Sequence, residues 1–247
     1  LNLDLFVLDS ERAHDDLSVP SLGELVRRVE EVGGPKVVIT LPVRRSDFPE
    51  KLKGVMRLLS RSERASLCLV ACNPAYLTEE ERKRPAGGLL ASAVKQVIGE
   101  LGPETEVFVG TERVENVVAR LCAEHNVVPF LLLDDHSPEL LARLRPNGNR
   151  LAVYVPFAVG PRREDAIPSL ISYVERRMRA LRLSGRPTDH LDRFCVVGNQ
   201  HDVSSRIRHL SRQYDVVIGC PANPNPEQIK FWSLLGHTSA SDPLPNS

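Results

Sequence analysis

At 247 residues, with 42% hydrophobic and 26% charged residues, the chain has the size and balance of an ordinary globular protein. Its 32 Lys+Arg are offset by 32 Asp+Glu, a formal net charge of zero that argues against nucleic acid or another polyanion as partner. No uncharged stretch approaches the roughly 20 apolar residues of a membrane span, and the first residues carry no leader pattern, so no membrane association and a cytoplasmic location are expected.

Eight strand-length apolar runs follow one another: 3–8 (LDLFVL), 36–41 (KVVITL), 66–71 (SLCLVA), 106–111 (EVFVGT), 127–133 (VVPFLLL), 151–156 (LAVYVP), 193–198 (RFCVVG) and 215–220 (DVVIGC). They are apolar at consecutive positions, as expected of parallel strands covered on both faces. Polar segments of helical period lie between them. Residues 21–32 run from Ser21, with Glu24 three places on as a capping box, to a Gly33-Gly34 stop. Thr78 with Glu81, Ser137 before Pro138, and Asn225 before Pro226 are further start signals.

Segment 163–182 places Ile167, Leu170, Ile171, Val174, Met178 and Leu181 at spacings of three and four, one apolar stripe. Pro168 must lie in the first turn of that helix or kink it. Residues 183–192 read as an extended connection and 237–247 as a loose tail. Strand-helix alternation through the whole chain predicts a parallel sheet, and eight units in roughly 250 residues predict a minimal (β/α)8 TIM barrel. The expected organisation is a single barrel over residues 1–236. An open doubly wound sheet usually has fewer strands and often a GxGxxG turn, whereas the first turn here reads DSER at 9–12.

Five cysteines, Cys68, Cys72, Cys122, Cys195 and Cys220, form no CxxC pair, and four of them lie in or beside apolar strands, so reduced thiols are expected. The seven histidines (14, 125, 136, 190, 201, 209 and 237) show no zinc-ligand spacing, and no metal site is predicted.

In a (β/α)8 barrel the loops after the strands build the site. They contribute Asp9, Pro42, Cys72 with Asn73, Thr111 with Glu112, Asp134 with Asp135 and His136, Pro156, Asn199 with Gln200 and His201, and Cys220 through Asn223. The loops after strands seven and eight commonly hold phosphate on backbone amides and a helix N-terminus. Here Gly198 and Gly219 either admit an anion or serve tight turns, and Asp202 counts against the anion. Asp134, Asp135 and His136 could do acid-base work, although the run into Ser137-Pro138 favours a helix cap. Glu112 resembles part of a solvated first helical turn, with catalysis the minority reading. Asn73-Pro74 permits a cis peptide, with trans the default. Trp232 is expected to pack against the barrel wall or a partner, and the arginines at 27–28, 82–84 and 176–179 look like solvated helix faces. The titratable candidates for catalysis are Asp9, Glu112, Asp134 and His136.

The stretches ACNPAYLTEEERKR (71–84), VGTERVENVVA (109–119), LAVYVPFAVG (151–160) with SYVERR (172–177), and VVGNQHDVSSRIRHL followed by VVIGCPANP (196–224) resemble the luciferase-like superfamily of flavin- and deazaflavin-dependent barrels. Within it the sequence is similar to a small archaeal luciferase-like group, distantly related to methylenetetrahydromethanopterin reductases. The resemblance implies a barrel that binds FMN or a deazaflavin (coenzyme F420). Gly198, Asn199 and Gln200 with Gly219, Cys220 and Pro221 would line the phosphate end. Cys72 and Asn73 would sit at a bulge after strand three, where the superfamily often has an unusual cis peptide. It also implies a homodimer.

Three functions follow. The first is an oxidoreductase using a deazaflavin or FMN on a small-molecule substrate. The second is a pared-down barrel that binds a ligand or assembles without turnover, since little length is spare for a lid over the mouth. The third is metal-assisted hydrolase or lyase chemistry, which needs Asp9, Asp134, Asp135 and His136 to converge.

Overall fold

Each of the eight apolar runs forms a strand in the computed structural model, which describes residues 3–9, 18–223 and 225–235. The strands are β1 (Leu5–Leu8), β2 (Lys36–Pro42), β3 (Ala65–Val70), β4 (Val107–Gly110), β5 (Val127–Leu132), β6 (Ala152–Val159), β7 (Val196–Gly198) and β8 (Val216–Pro221). The helices between and after them are α1 (Val19–Glu31), α2 (Phe48–Leu59), α3 (Glu79–Lys83), α4 (Ala86–Leu101), α5 (Glu115–Glu124), α6 (Pro138–Leu144), α7 (Arg163–Ala166), α8 (Pro168–Leu181), α9 (Leu191–Phe194), α10 (Gln200–Leu210) and α11 (Pro226–Leu235). His14, His237, turn residues 10–12, Pro224 and the tail 237–247 lie outside the described residues.

Local chemistry accounts for most boundaries. The Thr78/Glu81 capping box is formed, Ser137 caps α6 through the Leu140 amide, and Asn225 accepts from the Glu227 amide ahead of α11. Gly33, at φ 60°, ends α1 with Gly34 N–H returning to Val29 O. The start of α1 differs from expectation: Ser18 is the cap, accepting from Ser21 N, because Pro20 suits the first turn and extends the helix backwards. Segment 163–182 is broken at Ile167 into α7 and α8, with Pro168 opening the second helix. Residues 191–194 are helical, which shortens β7 to three residues.

The described residues divide into two compact units, one of residues 4–9 and 18–131 with 137–151, the other of residues 3, 132–136, 152–223 and 225–235. In the larger unit β1 to β5 pair in sequence order, every register parallel, with Val7 opposite Val38, Ile39 opposite Leu67, Leu69 opposite Val109 and Val107 opposite Val127. All of β2 from Val37 to Pro42 is buried, so its consecutive apolar residues reflect cover on both faces. Leu22 and Val26 of α1, Leu52 and Val55 of α2, and Leu90 and Val94 of α4 supply buried helix stripes.

In the smaller unit β6 is central. Its Phe157–Val159 pair with β7, while Ala152–Phe157 pair with β8. A barrel closed in chain order would put β7 between β6 and β8; β7 is only three residues long, and the longer β8 pairs directly with the first part of β6. Pro156, expected at a strand end, therefore lies inside β6 opposite Cys220. Ala158 and Val197 face the cluster of Leu170, Val174, Leu191 and Phe194. Phe157 and Gly219 face the other way, where Trp232 of α11 packs on them. Among the described residues no helix is long and apolar enough to cross a membrane.

Candidate functional site

The strand ends of the larger unit are tied by charged side chains. Glu81, 5% exposed, accepts from Ser46 N at 2.8 Å and Thr78 N at 3.0 Å, with Arg45 Nε at 3.9 Å. Burial pushes its carboxyl up, but the hydrogen bonds from Thr78 and Ser46 together outweigh that and lower it to about 2. Arg84 donates to Arg44 O and Arg45 O, Arg45 to Tyr76 O, and Arg44 to Glu81 O and Arg82 O. Arg82 donates to Pro74 O. The 82–84 arginines are thus not a solvated face; they join the loop after β2 to the loop after β3.

Within that frame Cys72 is buried and left-handed, φ 71°, its thiol 3.7 Å from Asn73 O. Asn73 is spent locally, accepting from Ala75 N. Among the described residues no peptide bond is cis, so the bulge after β3 is made by the left-handed cysteine and not by a cis Asn73-Pro74. Asp9 and Glu112 are exposed at the ends of β1 and β4. Glu112 precedes α5 rather than forming its first turn: Arg113 is left-handed at φ 64°, and Glu115 accepts its amide.

In the smaller unit the Asp134 carboxylate is claimed on both oxygens. Arg193 Nε donates to Oδ1 at 2.5 Å and Arg177 Nη2 to Oδ2 at 3.5 Å, and both guanidinium groups lie over the Phe194 ring. His136 Nε2 lies 2.8 Å from Leu132 O, and because a carbonyl only accepts, Nε2 is the donor of that bond. Asp135 is exposed. The helix-cap reading of this loop is met by Ser137. Arg177 and Arg193, the partners that matter to Asp134, were missed by sequence reasoning because one lies in an Arg run and the other was assigned to a strand.

After β7, Asn199 caps α10 by accepting from Asp202 N at 3.0 Å. Asp202 packs on Gly198, where a Cβ would stand 2.9 Å from the aspartate Cβ. Gln200 and His201 are the first two residues of α10, whose amides have no partner inside the helix. Gly219 lies inside β8 opposite Val155 and not in the loop after it, and a Cβ there would stand 2.3 Å from the Trp232 ring. Gly219 therefore serves close packing of Trp232, neither a tight turn nor an open anion approach. Gln228 of α11 fixes that helix with two bonds to Val159, its Oε1 accepting from the amide and its Nε2 donating to the carbonyl. Cys220 is partly exposed, and Pro221 ends β8. Among the described residues no three His, Cys, Asp or Glu side chains come together as a metal site would require.

The model of DUF7388, a family of unknown function, matches residues 1–228. The chain belongs to that family. The DUF7388 chain is 29% identical over 226 residues to the uncharacterized protein MJ1239 of Methanocaldococcus jannaschii, covering 92% of this chain and 84% of that one. Three solved structures share its fold. Apo-MsnO8 aligns with a TM-score of 0.59 at 12% identity over 87% of this chain and 81% of that one. The coenzyme F420 dependent tetrahydromethanopterin reductase of Methanopyrus kandleri aligns with 0.56 at 11% over 94% and 96%. The oxygenating constituent of 3,6-diketocamphane monooxygenase from Pseudomonas putida, in complex with FMN, aligns with 0.51 at 11% over 81% and 76%. At these identities the likeness establishes the fold alone, the TIM-barrel-like luciferase fold in minimal form.

The DUF7388 residues fit a phosphorylated cofactor unevenly. The loop after β7 offers two helix N-terminal amides beside Gly198, with the Asp202 carboxylate working against an anion. At Gly219 the fit fails, because the indole occupies the space a phosphate would approach through.

Proposed function

We propose that the DUF7388 chain is a cytoplasmic oxidoreductase that takes coenzyme F420 or FMN and acts on a small-molecule substrate. The observation that carries the reading is fold kinship: the reductase described as coenzyme F420 dependent aligns over 94% of this chain, and the monooxygenase constituent described with FMN shares the same architecture. The cofactor, when bound, supplies the hydride chemistry. The chain's own part is to bind and orient it. The amides of Gln200 and His201 at the start of α10 would hold the phosphate, and Asn199, capping the helix, keeps that turn rigid.

Absorbance titration of the purified protein with coenzyme F420 and with FMN tests the reading. Saturable one-to-one uptake of either is expected. Asp202→Asn, which removes the carboxylate beside Gly198, is expected to tighten uptake a few-fold. Uptake of neither cofactor sinks the reading.

A second reading, a barrel that binds or assembles without turnover, is favoured by two features. Trp232 fills the space over Gly219, and both oxygens of Asp134 are engaged by arginines. It predicts a colourless protein that takes up neither cofactor.

A further inference from the structure

Helix α11 is the most lightly seated of the longer helices in the smaller unit. Of its ten residues only Ser233 is buried, while Ile229 and Leu234 stand 40% and 60% exposed. In the same unit α8 and α10 bury four residues each. None of the six residues of β8, the strand on which α11 packs, is more than half-buried. A segment with few buried apolar contacts opens locally at low cost in free energy.

What α11 holds is nevertheless specific. Gln228 accepts from Val159 N at 2.9 Å and donates to Val159 O at 2.7 Å, so one carboxamide engages both backbone polar groups of one residue at the end of β6. The preceding bond on that edge, Ala222 N to Phe157 O at 2.8 Å, comes from the residue after β8. The carboxamide thus takes the place of a further strand residue. Four residues on, and on the same face of α11, Trp232 lies over Gly219 and against Phe157. Phe157 and Val159 are two residues apart on one strand, about 7 Å. Carboxamide and indole therefore meet one short stretch of β6.

A carboxamide beside a flat ring matches a planar heterocycle with a lactam edge, whose C=O and N–H also point the same way. We propose that α11 is a displaceable cover, and that the surface beneath it, at Phe157, Val159 and Gly219, takes a planar heterocycle of that class. Val159 N donates to the lactam carbonyl and Val159 O accepts from the lactam N–H, while Gly219, bare of a side chain, admits the ring. FMN and the deazaflavin both carry such an edge, so the proposal rests on the cofactor reading and accounts for the indole standing where that reading fits worst. With α11 closed, the apparent affinity falls by the fraction of molecules that are open.

Amide exchange followed by NMR on the full chain, with titration of lumiflavin, a flat ring without a phosphate, tests the cover. The Val159 amide should exchange at least about tenfold faster than that of Gly160, which donates to Gly198 O on the β7 edge and owes nothing to α11. Gln228→Met keeps the side-chain length and helix propensity but loses both hydrogen bonds, so it should speed Val159 and leave Gly160 unchanged. The variant should bind lumiflavin about five- to tenfold more tightly than the parent, and the bound ring should protect its Val159 amide again. Lumiflavin affinity no higher in the variant, or a Val159 amide unmoved by lumiflavin, overturns the proposal. FMN uptake by the parent with Val159 exchange unmoved also overturns it and leaves the cofactor reading intact. The expected lumiflavin results with neither FMN nor coenzyme F420 taken up would uphold the cover and sink that reading.

Discussion

The indole of Trp232 lies on the backbone of Gly219 so closely that a Cβ there would stand 2.3 Å from both Cδ2 and Cε2. The same ring packs against Phe157 with centroids 4.6 Å apart and the planes tilted by 32°. A rigid ring cannot retreat as the tip of a flexible chain can. Gly219→Ala is therefore expected to cost about 1–3 kcal/mol, as overpacking does, and to shift the emission of the lone tryptophan. Urea unfolding measures the cost, and adding Trp232→Leu should recover part of it if the ring is the cause.

Glu81 makes stability depend on acid. Its folded-state pKa of about 2 lies below the ordinary 4.5, so its contribution is fully present above about pH 4.5 and is lost as pH falls towards 2. The shift corresponds to at most about 3 kcal/mol. Unfolding free energies of the parent and of Glu81→Gln, measured from pH 6 down to about pH 2.5, should converge as the carboxylate protonates. Parallel curves would remove Glu81 as the source.

Asp134 is expected to hold structure. Removing it leaves Arg177, buried to 8% exposure, and Arg193 without the carboxylate that both engage. Asp134→Ala should lower stability by about 2–4 kcal/mol, read from urea midpoints, because removing a carboxylate shared by two partly buried cations is costly. A variant as stable as the parent would return Asp134 to the set of candidate catalytic groups.

The thiols should differ in reactivity. Cys68, Cys72, Cys122 and Cys195 are buried and Cys220 is partly exposed. Burial pushes the Cys122 and Cys195 thiols up to about 12, so they stay protonated and unreactive near neutral pH. Brief alkylation of the native protein followed by mass spectrometry should mark Cys220 first. Early modification of Cys122 or Cys195 would contradict their packing.

The strands are legible in the sequence because consecutive apolar, β-branched residues have one economical use, a parallel strand covered on both faces. Caps are legible where a single candidate exists, as at Thr78 and Ser137. They fail where two compete: Ser18 and Ser21 both precede a plausible helix, and Pro20 decides between them. Residues 191–194 look like the start of a strand because the helical turn they form is too short to show a period. The site is harder to read because its facts are long-range. Nothing local links Asp134 to Arg177 and Arg193, Glu81 to Ser46, or Gly219 to a tryptophan in the next helix. The left-handed backbone at Cys72 has no signature in a residue type that seldom adopts it.

Trp232 also provides the most direct reading of the central claim. Flavins and deazaflavins absorb where indole emits, so titration of the protein with coenzyme F420 and with FMN, followed by tryptophan emission, reports occupancy without requiring turnover. Saturable quenching by at least one of them, reversed by dialysis, is the predicted result. Emission that remains unchanged with both cofactors on folded protein would contradict the assignment to cofactor-dependent redox chemistry.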